Sequence, residues 1–373
     1  MKARARPFTR LLVLSCLGLG LISPLQAASS VAQSGNEVKA ESIPIEAAQV
    51  RLAVDRLQQW YDPASGRWRT AGWWNDANSL TVLIDYSRAT HTTAYEPVIA
   101  NTFALNSGKG FLNDFYDDEG WWALAWIDAY DLTGSLEYLD AARHIFADMA
   151  GGWDQTCGGG LWWTKKRNYK NAIANELFLS VAARLANRSS DAKLKAVYAG
   201  WARREWRWFQ HSGMIEKDHL ISDGLDGECH NNHRTKWTYN QGVVLGGLVE
   251  LSRQKGQGGD WRAASRIAGA AIAKLTRDGI LHEPCEPNCG EDGTQFKGIF
   301  VRNLAQLNVR QPARPYAAFL RANAASILER DQAADHAFGL VWSGPPGVAD
   351  AVSQTSALDA LVATLGLERH RRN

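Results

Sequence analysis

The chain has 373 residues, 45% of them hydrophobic and 21% charged, which is ample material for a large packed core and excludes a disordered protein. The formal net charge is +2, and the first 28 residues hold four basic and no acidic side chains, so the remainder stands at −2. That balance offers no electrostatic footprint for nucleic acid or for a strongly acidic polymer.

The N-terminus places Lys2, Arg4, Arg6 and Arg10 before an apolar run from Leu11 to Ile22, with small residues at Ala27 and Ala28. This predicts a secretory signal peptide over 1–28 and a secreted or periplasmic mature protein, free of the membrane once cleaved. The run is short for spanning a bilayer. Cys16 lies in its middle, which disfavours a lipoprotein. Residues 29–42 are small and polar without periodicity and predict a flexible mature N-terminus, leaving 43–373 as a single catalytic domain.

Two kinds of helix then alternate. Segments 45–61, 93–106, 136–150, 191–211, 261–277 and 315–331 are one-sided; in the third, Leu139, Ala142, Phe146 and Met149 form an apolar stripe with charge opposite. Segments 77–87, 117–131, 172–186, 239–252, 296–309 and 354–366 are apolar nearly all round and belong inside the protein. No repeat of fixed length links them. Six buried helices alternating with six one-sided ones predict an all-α fold of two concentric rings, an (α/α)6 barrel; a superhelical stack of hairpins is the competing layout. In the barrel all inner helices start at one end. The segments leading into them carry Trp73, Trp74 and Asn78; Asp117 and Asp118; Trp162, Trp163, Lys170 and Asn171; Trp237, Tyr239, Asn240 and Gln241; Asp292, Gln295 and Lys297; and Gln354, Thr355 and Ser356.

Sixteen tryptophans are many for this length, and three adjacent pairs of them (73/74, 121/122, 162/163) fall in those polar approaches. Aromatic faces beside carboxylates and amides suit a sugar, whose C–H faces stack while its hydroxyls seek acceptors. The acidic pair opens the second inner helix, where Asn113 or Asp114 is the expected N-cap and Gly134 the stop. Acids in a first helical turn also favour the helix dipole and often do nothing else. Two carboxylates can nevertheless cleave an acetal if one protonates the leaving oxygen and the other attacks the anomeric carbon. At the ~5.5 Å expected of sequence neighbours, two charges repel by about 3 kcal/mol at an effective dielectric of ~20, or about two pKa units. One aspartate should therefore keep its proton toward neutrality, and the rate profile should be bell-shaped.

Beyond the signal segment four cysteines remain. Cys285 and Cys289 flank a short Pro-containing loop and are expected to bridge; the pairing of Cys157 and Cys229 stays open. ECHNNH, with Cys229, His230 and His233, has zinc-like spacing, but an exported cysteine is more often in a disulfide, so no metal and no cofactor are expected. There is no glycine-rich phosphate loop and no nucleophile-elbow serine.

The stretch YDDEGWWALAWIDAYDLTG, with WWNDAN, CGGGLWW, YKNAIANELFL, TYNQGVVLGGL and FKGIFVRNL, resembles glycoside hydrolase family 76, the endo-α-1,6-mannanases, in order over about 73–309. The resemblance implies an (α/α)6 barrel and retaining hydrolysis of α-1,6-mannan, with Asp117 as nucleophile and Asp118 as acid/base. Trp74, Tyr116, Trp122 and Trp163 are candidate sugar platforms or neighbours. Asn78, Lys170, Asn171, Asp223, Tyr239, Asn240 and Gln241 are candidate hydroxyl partners, with capping and inter-helix bonding as their structural alternatives. Lys297 and Arg302 read as structural ion-pair partners. The expected ligand is α-mannan or a mannose-containing oligosaccharide, bound by a monomer. The competing functions are transglycosylation on such glycans, a polysaccharide lyase on the same barrel, and non-catalytic glycan binding.

Overall fold

The computed structural model describes residues 47–254 and 260–372, with side chains as far as 367; the expectations for 1–28 and 29–42 lie outside the described residues. Twelve helices of ten or more residues run through the described chain: α1 (Ala47–Gln58), α2 (Trp73–Thr90), α3 (Glu96–Asn106), α4 (Tyr116–Thr133), α5 (Leu136–Gly151), α6 (Ala172–Arg188), α7 (Ala192–His211), α8 (Thr238–Ser252), α9 (Trp261–Lys274), α10 (Phe296–Arg310), α11 (Ala317–Ser326) and α12 (Ala351–Arg372). The even-numbered helices are those without a polar face. Each packs on the next, and α12 returns against α2, so the inner ring closes and the stacked-hairpin layout is excluded. The odd-numbered helices lie outside it with their apolar stripes inward, as α5 does with Leu139, Ala142, Phe146 and Met149.

Two contacts show why the motif glycines are needed. A Cβ on Gly242 would stand 2.5 Å from the Phe300 backbone, and one on Gly298 would stand 2.5 Å from the Ser356 carbonyl, so α8, α10 and α12 approach more closely than any side chain permits. Elsewhere the ring is filled by aromatics. Phe111, Trp122 and Trp126 are packed with Phe103 and Tyr138 between α3, α4 and α5.

The C-terminal halves of all six inner helices meet around a cavity of ≈ 530 Å³, so their N-termini gather at the other end. At the cavity the negative ends of the helices are met by arginines, several of them tied to acids on neighbouring helices. Arg184 pairs with Asp128 at 2.8 Å, Arg188 with Asp131 and Glu250 at 2.5 and 3.2 Å, and Arg302 with Asp359 at 3.0 Å. Arg302 and Lys297, which pairs with Glu286, are thus structural, as read from the sequence.

At the N-terminal end a repeat emerges that letter matching misses. The fourth residue of five inner helices accepts a hydrogen bond from a backbone N–H in the segment leading into that helix: Asp76 from Trp68 (3.0 Å), Glu119 from Asn113 (3.1 Å), Asn175 from Leu161 (2.6 Å), Gln241 from Ile221 (2.8 Å) and Gln354 from Phe338 (2.9 Å). Asn175 and Gln241 also donate to the carbonyl of the same residue, satisfying both of its backbone groups in a buried setting. For α10 the equivalent bond comes from outside, with Leu281 N–H donating to Asn323 of α11 at 2.8 Å. The incoming segments form small hairpins, two with paired strands, Tyr61–Asp62 with Arg67–Trp68 and Thr276–Arg277 with Ile280–Leu281. No strands were expected from the sequence; two-residue strands leave too short a pattern to read.

Candidate active site

Asp117 and Asp118 occupy the first turn of α4, at the end where the inner helices begin. The N-cap is Phe115, in extended conformation, and not Asn113 or Asp114. The reason lies in competing partners: Tyr116 N–H is taken by the Trp163 carbonyl at 2.9 Å, and Asn113 turns its amide to Asp118. Gly134 does end the helix, at φ 77° with its N–H on Tyr130 O.

Both acids are half-buried, and among the described residues each holds one side-chain donor. Trp163 Nε1 donates to Asp117 Oδ2 at 2.9 Å, and Asn113 Nδ2 donates to Asp118 Oδ2 at 2.6 Å. Asp117 Oδ1 is buried with no protein partner among the described residues. Burial, and after it the charge of Asp118, push Asp117 well above the usual carboxylate range, against the pull of the Trp163 N–H. Burial also raises Asp118 to about 6, opposed by the Asn113 amide and helped by the charge of Asp292. Desolvation is thus the first cause, ahead of the mutual repulsion that the sequence reading emphasised. The pair retains a proton near neutrality on either account.

Aromatic rings wall the opening. Trp74 stacks on Trp121 at 5.6 Å, Trp121 on Tyr239 at 6.5 Å, and Tyr239 on Phe296 at 3.7 Å. Tyr239 is held well above its ordinary range by burial and then by the charges of Asp117, Asp223, Glu176 and Asp292, acids from four different segments around one ring. Asp223 accepts from the Tyr169 hydroxyl, which in turn accepts from Asn232 at 2.9 Å. Asp292 lies on the single helical turn Gly290–Gly293, next to the Cys285–Cys289 bridge, and accepts from Trp74 Nε1 at 2.8 Å. An acid pair sharing a proton, with rings and acceptors about it, has the parts for acid-assisted cleavage of a glycoside.

Comparison with known proteins agrees. The model of the family described as glycosyl hydrolase family 76 matches residues 47–372. The chain belongs to that family. A putative mannan endo-1,6-α-mannosidase of Schizosaccharomyces pombe is 29% identical over 280 residues, 67% of this chain and 62% of that one. A mannan endo-1,6-α-mannosidase of Saccharomyces cerevisiae is 27% identical over 336 residues, 80% of this chain and 72% of the relative. The match to the first of these spans under two thirds of its length. Among solved structures, an inactive variant of the α-1,6-mannanase of Salegentibacter sp. HEL1_6, with two consecutive aspartates replaced by alanine and α-1,6-mannotetrose bound, superposes with TM-score 0.78 at 25% identity, over 86% of this chain and 99% of that one. A protein of Listeria innocua gives TM-score 0.78 at 26% identity, over 87% of this chain and 98% of the other.

Within this family 76 chain, Asp117, Asp118, Trp74, Trp163, Asp223 and Tyr239 come together. Four other residues do not face the opening. Trp122 is 0% exposed and stacks among Trp73, Phe111 and Trp126. Trp121, four residues after Asp117 and three after Asp118 on their helix face, instead joins the row of stacked rings between Trp74 and Tyr239, itself 3% exposed. Tyr116 is buried beneath the following loop, where a Cβ on Gly152 would stand 2.6 Å from its ring. Lys170 sends its ammonium inward to Asp154 and to the carbonyls of Thr156, Gly159 and Gly160, at 2.7–3.0 Å, clasping that loop from within. Gln241 spends its amide on Ile221 and Trp237.

Asn171 caps α6 through Ala174 N–H, and Asn78 accepts from Arg302 at 2.7 Å, so both have structural partners. Asn240 is fully buried and neither amide atom has a protein partner among the described residues. Phe296 is not singled out in the sequence; Trp121 is read there only as half of a tryptophan pair beside the acids, and Asp292 only as one of the residues leading into the fifth inner helix, neither with a role in binding. The i, i+4 spacing to Asp117 is what sets Trp121 apart from Trp122.

Both disulfides are present, Cys285–Cys289 and Cys157–Cys229. The second removes the thiolate from the ECHNNH spacing. Among the described residues no three His, Cys, Asp or Glu side chains are grouped to hold a metal ion, and no helix is long and apolar enough to cross a membrane.

Proposed function

We propose that this family 76 chain is an endo-acting hydrolase of α-1,6-mannosidic linkages that retains anomeric configuration. The observation carrying the reading is the consecutive carboxylates, together holding one proton, at the mouth of an inner helix and walled by stacked rings. The pair reacts from the form in which Asp118 holds the shared proton and Asp117 is ionised, the reverse of the placement that burial favours in the free chain. Asp118 delivers its proton to the glycosidic oxygen while Asp117 attacks the anomeric carbon, and Asp118 then takes a proton from the water that releases the sugar. The Trp163 N–H steadies the attacking carboxylate, and the short reach between neighbouring residues leaves little room for an inverting water. Loss of activity in the Salegentibacter variant lacking two consecutive aspartates supports this assignment, as does the mannotetrose bound to it. Trp74 and Trp121 serve as platforms, Asp223 and Asp292 as hydroxyl acceptors, and Tyr239 and Asn240 as further partners. The protein acts as a monomer in an oxidising, exported setting, a reading supported by the two disulfides.

The test is release of reducing ends from linear α-1,6-mannan, with NMR of the first-formed anomer. Wild type should release the α-anomer first, and Asp117→Asn and Asp118→Asn should each lose at least a thousandfold in rate. Binding without turnover, or unsaturated products, would overturn the proposal.

A further inference from the structure

On the cleft side of the barrel, the segment between α5 and α6 also has an outward face. There Trp153, Gln155 and Cys157 meet Arg204, Arg207 and His211 of the last two turns of α7 around a cavity of ≈ 430 Å³, within the roughly 300–1,000 Å³ of small-ligand sites. No carboxylate lines it. Positions 204, 207 and 211 fall on one face of α7, so their basic side chains converge.

Solvated surface arginines are the ordinary reading of such a face, and three observations argue against it. The Arg204 guanidinium is stacked over Trp153 and Trp201, 4.6 and 4.9 Å from their centroids, which fixes it in place before any ligand arrives. The Trp153 indole N–H is buried without an acceptor among the described residues. The nearby acids are withdrawn: Asp154 is engaged by Lys170 at 3.0 Å and Trp162 at 2.7 Å, and Glu205 is buried on the opposite face of α7. At the far pole of the barrel the arginines Arg184, Arg188 and Arg302 all meet acids; here Arg204 and Arg207 meet none within ion-pair distance among the described residues.

The pocket is also rigidly tied to the cleft. The same segment ends in Trp163, bonded to Asp117, and Lys170 clasps its interior. Gly159 and Gly160, both at positive φ, let the backbone lie against Trp208, where a Cβ would stand 2.8 and 2.4 Å from the ring. The Cys157–Cys229 bridge joins the segment to the loop following Asp223.

We infer that this pocket is a subsite for an anionic substituent, a phosphate ester, carried on the glycan whose neutral mannose units lie in the cleft. The inference rests on the proposed function. Arginine forks suit the oxygens of a tetrahedral oxyanion, and a pocket set apart from the acid pair but on the segment that ends at Trp163 is reached by a side group and not by the scissile unit.

Calorimetric titration tests it, using the full chain with Asp118→Asn to prevent turnover, at low ionic strength. The probes are neutral α-1,6-mannotetraose, the same oligosaccharide with a terminal 6-phosphate, and inorganic phosphate. The phosphorylated glycan should bind at least tenfold more tightly than the neutral one. Arg207→Glu should abolish that preference, while its affinity for the neutral glycan and its unfolding temperature stay unchanged. Equal affinities, a preference that survives Arg207→Glu, or saturation by inorganic phosphate with no preference between the glycans would each overturn the inference. Hydrolysis of neutral mannan by the wild-type chain, assayed alongside, reports on the cleft itself, so failure of the proposed function is seen separately.

Discussion

Replacing Trp163 by Phe removes one hydrogen-bond donor and keeps most of the ring. In the wild type its Nε1–H stands 2.9 Å from Asp117 Oδ2, the one side-chain donor to that carboxylate among the described residues. A hydrogen bond to an ionised group in a half-buried setting is worth about 1.5–3 kcal/mol, and it favours the charged form. At 1.36 kcal/mol per unit, its loss should raise the pKa of the attacking carboxylate by about one to two units. Asp117 must be ionised to attack and already holds the pair's proton more tightly than Asp118, so the plateau of the kcat/KM profile should fall about ten- to a hundredfold and its alkaline limb should move up. The acid limb, set by the first proton lost, mainly from Asp118, should move much less. Initial rates on a soluble α-1,6-mannan between pH 4 and 9 measure both limbs. An alkaline limb that stays in place while only KM rises would refute the reasoning, because it would make Trp163 a platform for sugar and not a partner of the nucleophile.

Trp122→Ala should destabilise the fold by about 3–5 kcal/mol yet leave kcat/KM of the folded fraction within about twofold, whereas Trp121→Ala should cut kcat/KM by at least tenfold; denaturation and kinetics on the two variants check this. Asn175→Ala strands the buried N–H and carbonyl of Leu161 and should cost about 2–4 kcal/mol in urea unfolding; a loss below about 0.5 kcal/mol would contradict the anchoring role. Stability should also fall as pH rises. Burial lifts Glu119 and Glu283 to about 8 and Asp331 to about 7, so the folded chain binds these protons more tightly than the unfolded one. Their contribution is complete below the unfolded carboxyl range near about 4 and is lost as pH climbs through 7 to 8. The unfolding temperature should drop between pH 5 and pH 8.5; a rise would contradict the sign.

Much of this architecture was legible because it depends on periodicity. A helix apolar on all sides has only one place to go, and its alternation with one-sided helices is satisfied by two rings. The acid pair was legible as well, since motif and chemistry agreed. What sequence could not supply was the rotation of side chains about a helix axis. Trp121 and Trp122 look alike in a row of letters, but about 100° of turn sends one to the cleft wall and the other into the packing against α3 and α5. Polar side chains near helix starts were equally ambiguous. Lys170 and Gln241 have the chemistry to bind hydroxyls, and the backbone claims them first. Asp292 was placed on the rim, but its partner was hidden, because nothing local to GEDG says that Trp74, more than two hundred residues earlier in the chain, will donate to it.

The fourth-residue anchors carry an implication for how such a molecule changes. Each ties its own entering segment to the helix that follows, across intervals ranging from 6 residues for Glu119 to 20 for Gln241. Chain inserted between the tether and the helix start therefore bulges toward the glycan without disturbing the scaffold beneath, and loop-closure entropy rises only slowly with such additions. A designer seeking altered branch tolerance would graft new stretches there and keep the five tethers untouched.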